Sequence, residues 1–168
     1  MFVLFFGLCA LSSLHGVHAR MTLMQKSTLL KFMSFWPPYL GAGIKVKKIS
    51  EDFTRMEVEM KLNFWNQNYV GTHFGGSLYS MTDPFIMLML IQNLGKEYVV
   101  WDKAATIRFL KPGKGRVRAT FEVPREKIEE IKKQLSDGGK VEPVFTVKVT
   151  DEKEIVVAEV EKTLYIRK

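Results

Sequence analysis

The sequence predicts an α+β domain in which a curved antiparallel sheet of about six strands wraps around one long central helix, with an N-terminal helix and a surface helix outside it. Three observations predict it. Several separate stretches alternate apolar and polar residues with period two, the mark of half-buried strands. The run Phe85-Ile86-Met87-Leu88-Met89-Leu90-Ile91 has no polar face, and a helix that is apolar all round must be buried all round. Finally, 168 residues with 46% hydrophobic and 26% charged side chains suit one domain with one core and exclude a disordered chain.

Residues 1–20 carry an apolar run from Phe2 to Leu14, and Val17-His18-Ala19 follows it with the look of a small-x-small cleavage site. This reads as the hydrophobic region of a signal peptide, too short for a stable membrane span. The usual basic start is missing and Met21 opens a conventional domain, so the alternative is an upstream extension of the reading frame. The folded domain is therefore expected over 21–168. The expected compartment is the cytoplasm, or outside it if residues 1–20 direct export.

Next, Ser27 precedes Leu29, Leu30, Phe32, Met33, Phe35 and Trp36, a helix-like stretch that Pro37-Pro38 should end. Ile44 and Val46 alternate with lysines, and Met56, Val58, Met60 and Leu62 alternate with Arg55, Glu57, Glu59 and Lys61. The same period recurs in Ala105/Ile107/Phe109, Val117/Ala119/Phe121/Val123, Phe145/Val147/Val149, and Val156/Ala158/Val160 running on towards Leu164 and Ile166. Lys111-Pro112-Gly113-Lys114-Gly115 and Asp151-Glu152-Lys153 read as hairpin turns. Ile128, Ile131 and Leu135 at helical spacing among charges, with Gly138-Gly139 as a stop, predict the surface helix. The central helix is expected over residues 76–94, roughly 28 Å at 1.5 Å per residue and enough to cross the sheet.

Composition narrows the chemistry. The 25 Lys and Arg outnumber the 18 Asp and Glu, giving a net charge of +7 that favours an anionic partner. Cys9 is the sole cysteine, so no intramolecular disulfide can form, and His73 is the one histidine outside residues 1–20. A zinc finger, a CxxC redox site and a Cys–His nucleophile are thereby excluded from the domain, and no metal site is expected. No GxSxG elbow, Walker A sequence, GxGxxG loop or nucleic-acid recognition motif is present.

The residues that can carry chemistry lie in Asn68-Tyr69-Val70-Gly71-Thr72-His73-Phe74-Gly75-Gly76, leading to Thr82-Asp83-Pro84. Gly75-Gly76 opens the central helix, and without side chains there a ligand atom can approach free amides suited to a developing oxyanion. Asp83 is the one charged side chain between His73 and Lys96, set in an otherwise apolar stretch where a carboxylate without a role is expensive. The plainer alternative is that the glycines make a tight turn and Asp83 caps a second helical segment beginning at Pro84. Lysines 45, 47, 48, 111 and 114 with Arg116 and Arg118 form either a solvated strand face or a basic rim that binds phosphates.

Here the residues resemble the hot-dog fold thioesterases, in particular the phenylacetate-pathway type and the thioesterase-like domain fused to some acetyltransferases. The resemblance covers about Leu29 to Arg167 and rests on spacing: Gly76 to Asp83 is seven residues, and Asn68 to Gly75 is seven. It implies Asp83 as base or nucleophile, Asn68 as orienter of water, and the Gly75-Gly76 pair as the carbonyl-polarising helix start, with the Gly75 amide as donor. It also implies a homodimer, or a tetramer built from it, with the site shared between subunits. Two positions depart from the pattern. The family's His directly before the glycines is Phe74 here, with His73 one place earlier and turned to the opposite face. The family's Ser or Thr ten residues before a turn proline is Asp102, counting back from Pro112. His73 is accordingly read as a partly buried histidine bonded to backbone, and Asp102 as a second carboxylate that either lies close enough to Asp83 to raise its pKa or faces solvent beside Lys103.

The function expected is hydrolysis of acyl-coenzyme A or another acyl thioester, with Asp83 activating water or attacking to form an anhydride. Asp102, Lys111, Lys114 and Arg116 are the candidate substrate-binding residues. No cofactor is expected beyond the coenzyme A of the substrate, and no nucleic acid partner. The rival is a non-catalytic acyl or lipid binder, consistent with the displaced His and with nine Met suited to adaptable apolar pockets. A hydratase of the same fold would pair His with a carboxylate, for which only His73 is at hand.

Overall fold

The computed structural model describes residues 32–168. The expectations for residues 1–20 and for the first residues of the N-terminal helix lie outside that range. The described part of that stretch stops before Pro37-Pro38, and a second helix that the sequence did not announce follows it. Phe32–Phe35 forms a 3-10 turn, and helix α1, Pro37–Ala42, begins at the first proline. The reason is general: proline at the first helical position gives up an amide that would be unpaired anyway, and Trp36 before it takes the extended conformation proline demands. Gly43, at φ 76°, closes α1 in the left-handed region.

The remaining elements are β1 (Ile44–Ile49), β2 (Arg55–Lys61), α2 (Gly75–Ser80), α3 (Phe85–Leu94), β3 (Val99–Phe109), β4 (Arg116–Glu122), α4 (Arg125–Gln134), β5 (Lys140–Val141), β6 (Val144–Asp151) and β7 (Val156–Arg167). The strands form one antiparallel sheet in the order β1-β2-β4-β6-β7-β3, with β5 pairing the far end of β7. Alternation has its expected meaning. Met56, Val58 and Met60, Val117, Ala119 and Phe121, and Ala158, Val160, Leu164 and Ile166 are buried on the face that meets the helices. Each of these side chains larger than alanine contributes about 1.5–3 kcal/mol relative to exposure. The architecture is the hot-dog fold.

Of the two hairpin turns expected, one forms and the other does not. Asp151 and its neighbours do form a hairpin turn between β6 and β7, in which Asp151 Oδ1 accepts from the Lys153 and Ile155 amides at 2.8 and 2.9 Å. The Lys111–Gly115 segment does not, because β3 pairs with β7 at one edge of the sheet while β4 lies between β2 and β6. It is a crossover running across the sheet, and its Pro-Gly chemistry makes the bend without making the strands neighbours.

The central helix runs from Gly75 to Leu94 in two segments. Pro84 supplies no amide and its ring crowds the preceding turn, so the helix is interrupted over Met81–Pro84. Leu78, Met81, Phe85, Ile86, Met89, Leu90 and Leu94 are buried, whereas Met87 and Leu88 are half-buried and Ile91 is exposed on the side the sheet does not cover. Phe85 is the hub, its ring 5.0 Å from that of Phe121 and 5.9 Å from that of Tyr39 in α1. Helix α4 packs Ile128 and Ile131 inward, with Glu126 in its first turn and Lys132 and Lys133 in its last, matching the helix dipole. Among the described residues no helix is long and apolar enough to cross a membrane.

Candidate functional site

A cleft of about 670 Å³ lies between the loop before α2 and the crossover after β3. It brings together Asn68, Gly75, Lys111 and Lys114 of the residues singled out above, along with His73 and Phe109. The Gly75 and Gly76 amides stand ahead of the first helical hydrogen bonds, which the Ser77 and Leu78 amides donate to Phe74 O at 3.0 and 3.1 Å. Helix α2 is only six residues long, so any polarising power comes from these local amides more than from a macrodipole. The absent side chains leave room that two aromatic rings fill: a Cβ placed on Gly75 would meet the Phe109 ring at 2.9 Å, and one on Gly76 would meet the Phe74 ring.

Asn68 organises its own loop. Its Oδ1 accepts from the Val70 and Thr72 amides at 3.1 and 3.0 Å, and its Nδ2 donates to Thr72 Oγ1 at 2.8 Å and to His73 O at 3.3 Å. His73 ties that loop to the crossover. Its amide donates to Gly113 O at 2.9 Å, and Nε2 lies 3.1 Å from Gly115 O. A carbonyl can only accept, so Nε2 carries the proton, and Nδ1 is buried without a partner. Burial holds the pKa of this ring below its ordinary value.

Asp83 and Asp102 are in a different place, on a residue that did not figure in the reading of the sequence. Lys162 of β7, a side chain with 0% exposure, donates to Asp83 Oδ1 at 2.7 Å and to Asp102 Oδ2 at 3.0 Å. The Tyr79 ring lies 5.9 Å from the same ammonium. The Asp83 side chain is 44% exposed and that of Asp102 only 20%. Burial, with the neighbouring Asp83 carboxyl, pushes the Asp102 pKa up to about 6 despite the lysine. The carboxylate of Asp83 does not cap α3; its carboxyl oxygen faces the lysine, and its backbone carbonyl accepts from the Tyr39 hydroxyl. A signal for Lys162 existed: it shares the parity of Ala158, Val160, Leu164 and Ile166, so period two turns a charge towards the core.

The basic candidates divide. Lys111 and Lys114 line the cleft and make no ion pair among the described residues. Arg116 is engaged elsewhere, 3.3 Å from Glu59 and 3.8 Å from Glu152, and Arg118 also pairs with Glu59. Among the described residues no group of three or more His, Cys, Asp or Glu side chains is arranged to hold a metal ion. Strand β3 forms the edge of the sheet and pairs only with β7 among the described residues, with Val99, Trp101 and Phe109 exposed.

Residues 25–166 match the profile of a family described as a domain of unknown function, DUF4442. No curated protein matches the chain. Solved structures resemble it in fold at low identity. A Pseudomonas aeruginosa protein described as a probable thioesterase is 21% identical, with a TM-score of 0.71 over 83% of this chain and 95% of its own. A Chlorobaculum tepidum protein of unknown function is 20% identical, with a TM-score of 0.70 over 90% of this chain and 99% of its own. A Haemophilus influenzae thioesterase is 15% identical, with a TM-score of 0.62 over 83% of this chain and 89% of its own.

Proposed function

The chain belongs to the DUF4442 family, and from that premise and the geometry of the site we propose that it hydrolyses acyl thioesters, with coenzyme A as the leaving thiol. The observation that carries the reading is Asp83: a carboxylate 44% exposed, held by a wholly buried ammonium, at the break of a central helix that starts with Gly75-Gly76. The Gly75 amide polarises the thioester carbonyl while Asp83 takes a proton from water. The hydroxide adds to the carbonyl carbon, and the tetrahedral intermediate expels the thiolate, which takes up the proton as the acid departs. Direct attack by Asp83 through an anhydride gives the same products. No cofactor enters beyond the coenzyme A of the substrate.

The site is composite in this reading. The cleft that contains Asn68 and Gly75 is not lined by Asp83, and β3 is a strand of eleven residues whose outer edge a second copy can pair. A homodimer then brings Asp83 of one subunit to the cleft of the other. Asn68 reaches a water if Nδ2 gives up its bond to His73 O, the longest of its four. Lys111 and Lys114 hold the phosphates of coenzyme A; Arg116, already paired with Glu59 and Glu152, contributes less. Asp102 acts through Lys162 and not by touching the substrate.

One observation favours a second reading, a non-catalytic acyl binder: the Phe109 ring lies against the Gly75 face that a carbonyl must reach. A panel of acyl-coenzyme A esters followed by free-thiol release, with Asp83→Asn in parallel, separates the two. Turnover lost in Asp83→Asn supports hydrolysis. Full activity in Asp83→Asn sinks the mechanism, and ester binding without turnover establishes the binder.

A further inference from the structure

Three charged groups from three elements meet where two would neutralise each other. Lys162 of β7 stands opposite Ala105 of β3 and Phe145 of β6, so its flanks offer no charge and its ammonium turns to the helix break. There it meets Asp83, and from β3 it meets Asp102, just ahead of the register shift between Asp102 and Ala104. From α2 the Tyr79 ring approaches, and from α1 the Tyr39 hydroxyl donates to the Asp83 carbonyl. Among the described residues Lys162 forms ion pairs with these two carboxylates alone. The cluster is therefore neutral with one carboxyl protonated and carries one negative charge with both ionised.

The two carboxyls are not equivalent. Asp102 is the more enclosed, and its Oδ1 is buried with no donor facing it, which is where a proton can reside. We propose that Lys162 and Asp102 are positioning residues for Asp83: the ammonium fixes the Asp83 carboxylate, and Asp102, by gaining or losing a proton, sets how much of the ammonium's charge Asp83 feels. With Asp102 protonated, Lys162 commits its charge to Asp83 and weakens it as a base. With Asp102 ionised, the ammonium is shared between two anions and Asp83 becomes more basic. Hydrolysis therefore rises with pH as Asp102 loses its proton, near its titration at about pH 6. This inference rests on reading Asp83 as the general base.

The test uses the full chain, octanoyl-coenzyme A as the probe, and 13C NMR of the aspartate carboxyls. The wild-type kcat should rise across a limb near pH 6 with KM nearly constant. Asp102→Asn, which mimics the protonated carboxyl, should abolish that limb and hold kcat several-fold down at pH 8. Lys162→Met, which removes the shared ammonium, should abolish the limb, and Lys162→Arg should restore it. In the carboxyl spectra Asp102 should titrate well above an ordinary aspartate, and higher still in Lys162→Met. An unchanged limb in Asp102→Asn overturns the proposal. If no ester is hydrolysed, or Asp83→Asn stays active, it is the assignment of Asp83 as base that fails. The spectra then decide the cluster, and an Asp102 that titrates as an ordinary carboxylate, or that ignores Lys162→Met, overturns it.

Discussion

Asp102 stands directly opposite Leu164 in the β3–β7 ladder, and opposed residues share a face, so its carboxyl is directed to the side of the sheet that buries Leu164. This placement makes stability depend on pH in an unusual direction for an aspartate. Its folded pKa, about 6, lies above the ordinary 3.8, so between those values the folded state holds the proton that the unfolded state has released. Stability from this group is then greatest in acid and falls as pH rises from 3.8 to about 6. Asp102→Asn should remove that fall, so that the variant's stability relative to the wild type rises with pH across this range. Urea denaturation of both proteins across this pH range checks it. A gain for the variant that does not grow with pH contradicts the assignment.

Lys162→Met removes the cation and leaves two carboxylates facing each other. Breaking a buried ion pair in this way costs about 3–5 kcal/mol. The loss should be smaller at pH 5 than at pH 8, because at pH 5 Asp102 is protonated and one repulsion is gone. Denaturant midpoints at the two pH values measure the difference. An equal cost at both would mean that packing of the lysine stem, not its charge, is what matters.

His73 offers the opposite sign. Its ring is neutral when folded, and burial lowers its pKa, so the unfolded chain takes up a proton that the folded one refuses. Stability from this group is present above the ordinary value of 6.5 and is lost as pH falls below it. His73→Gln can place its side-chain amide near Gly115 O and cannot protonate, so it should retain the loop and shed this acid sensitivity. The ring resonances of His73 should remain those of the neutral form as pH falls through 6.5. Protonation at the ordinary value would show that the Nε2–Gly115 bond does not enclose the ring.

Much of this was readable in the chain, and the failures have physical causes. Period two placed the strands because one face of each is buried, and the apolar run from Phe85 to Ile91 placed the centre of the helix. The helix that begins at Pro37-Pro38 was not foreseen because proline both ends and begins helices, and here it does both, with Trp36 extended between the two. The crossover at Lys111–Gly115 looked like a hairpin because turn chemistry is local, whereas the choice of strand partner is set by the whole sheet. The helix start and Asp83 were visible as spacing. The cluster that holds Asp83 was not, since its members are 79 and 60 residues apart along the chain. Only the parity of Lys162 hinted at it.

The composite site makes a quantitative demand on mixed dimers. One inactive partner is Asp83→Asn. The other is Gly75→Pro, which deletes the polarising amide while keeping the helix: proline is favoured at the first helical position, and Phe74, at ψ 131°, already has the extended backbone that a residue before proline needs. The group that must give way is the far end of the Phe109 side chain, which is exposed. Each homodimer should be nearly inactive, since removing one oxyanion donor costs about 10²–10³ in rate. After exchange of equal amounts, half the dimers are mixed, and each mixed dimer carries one site with both Gly75 and Asp83 intact. Thiol release should then recover to about a quarter of the wild-type rate, the share expected of a two-fold dimer with sites built across its interface. If the mixture stays as inactive as its components although exchange is verified by mass, each subunit supplies its own Asp83 and the composite site is wrong.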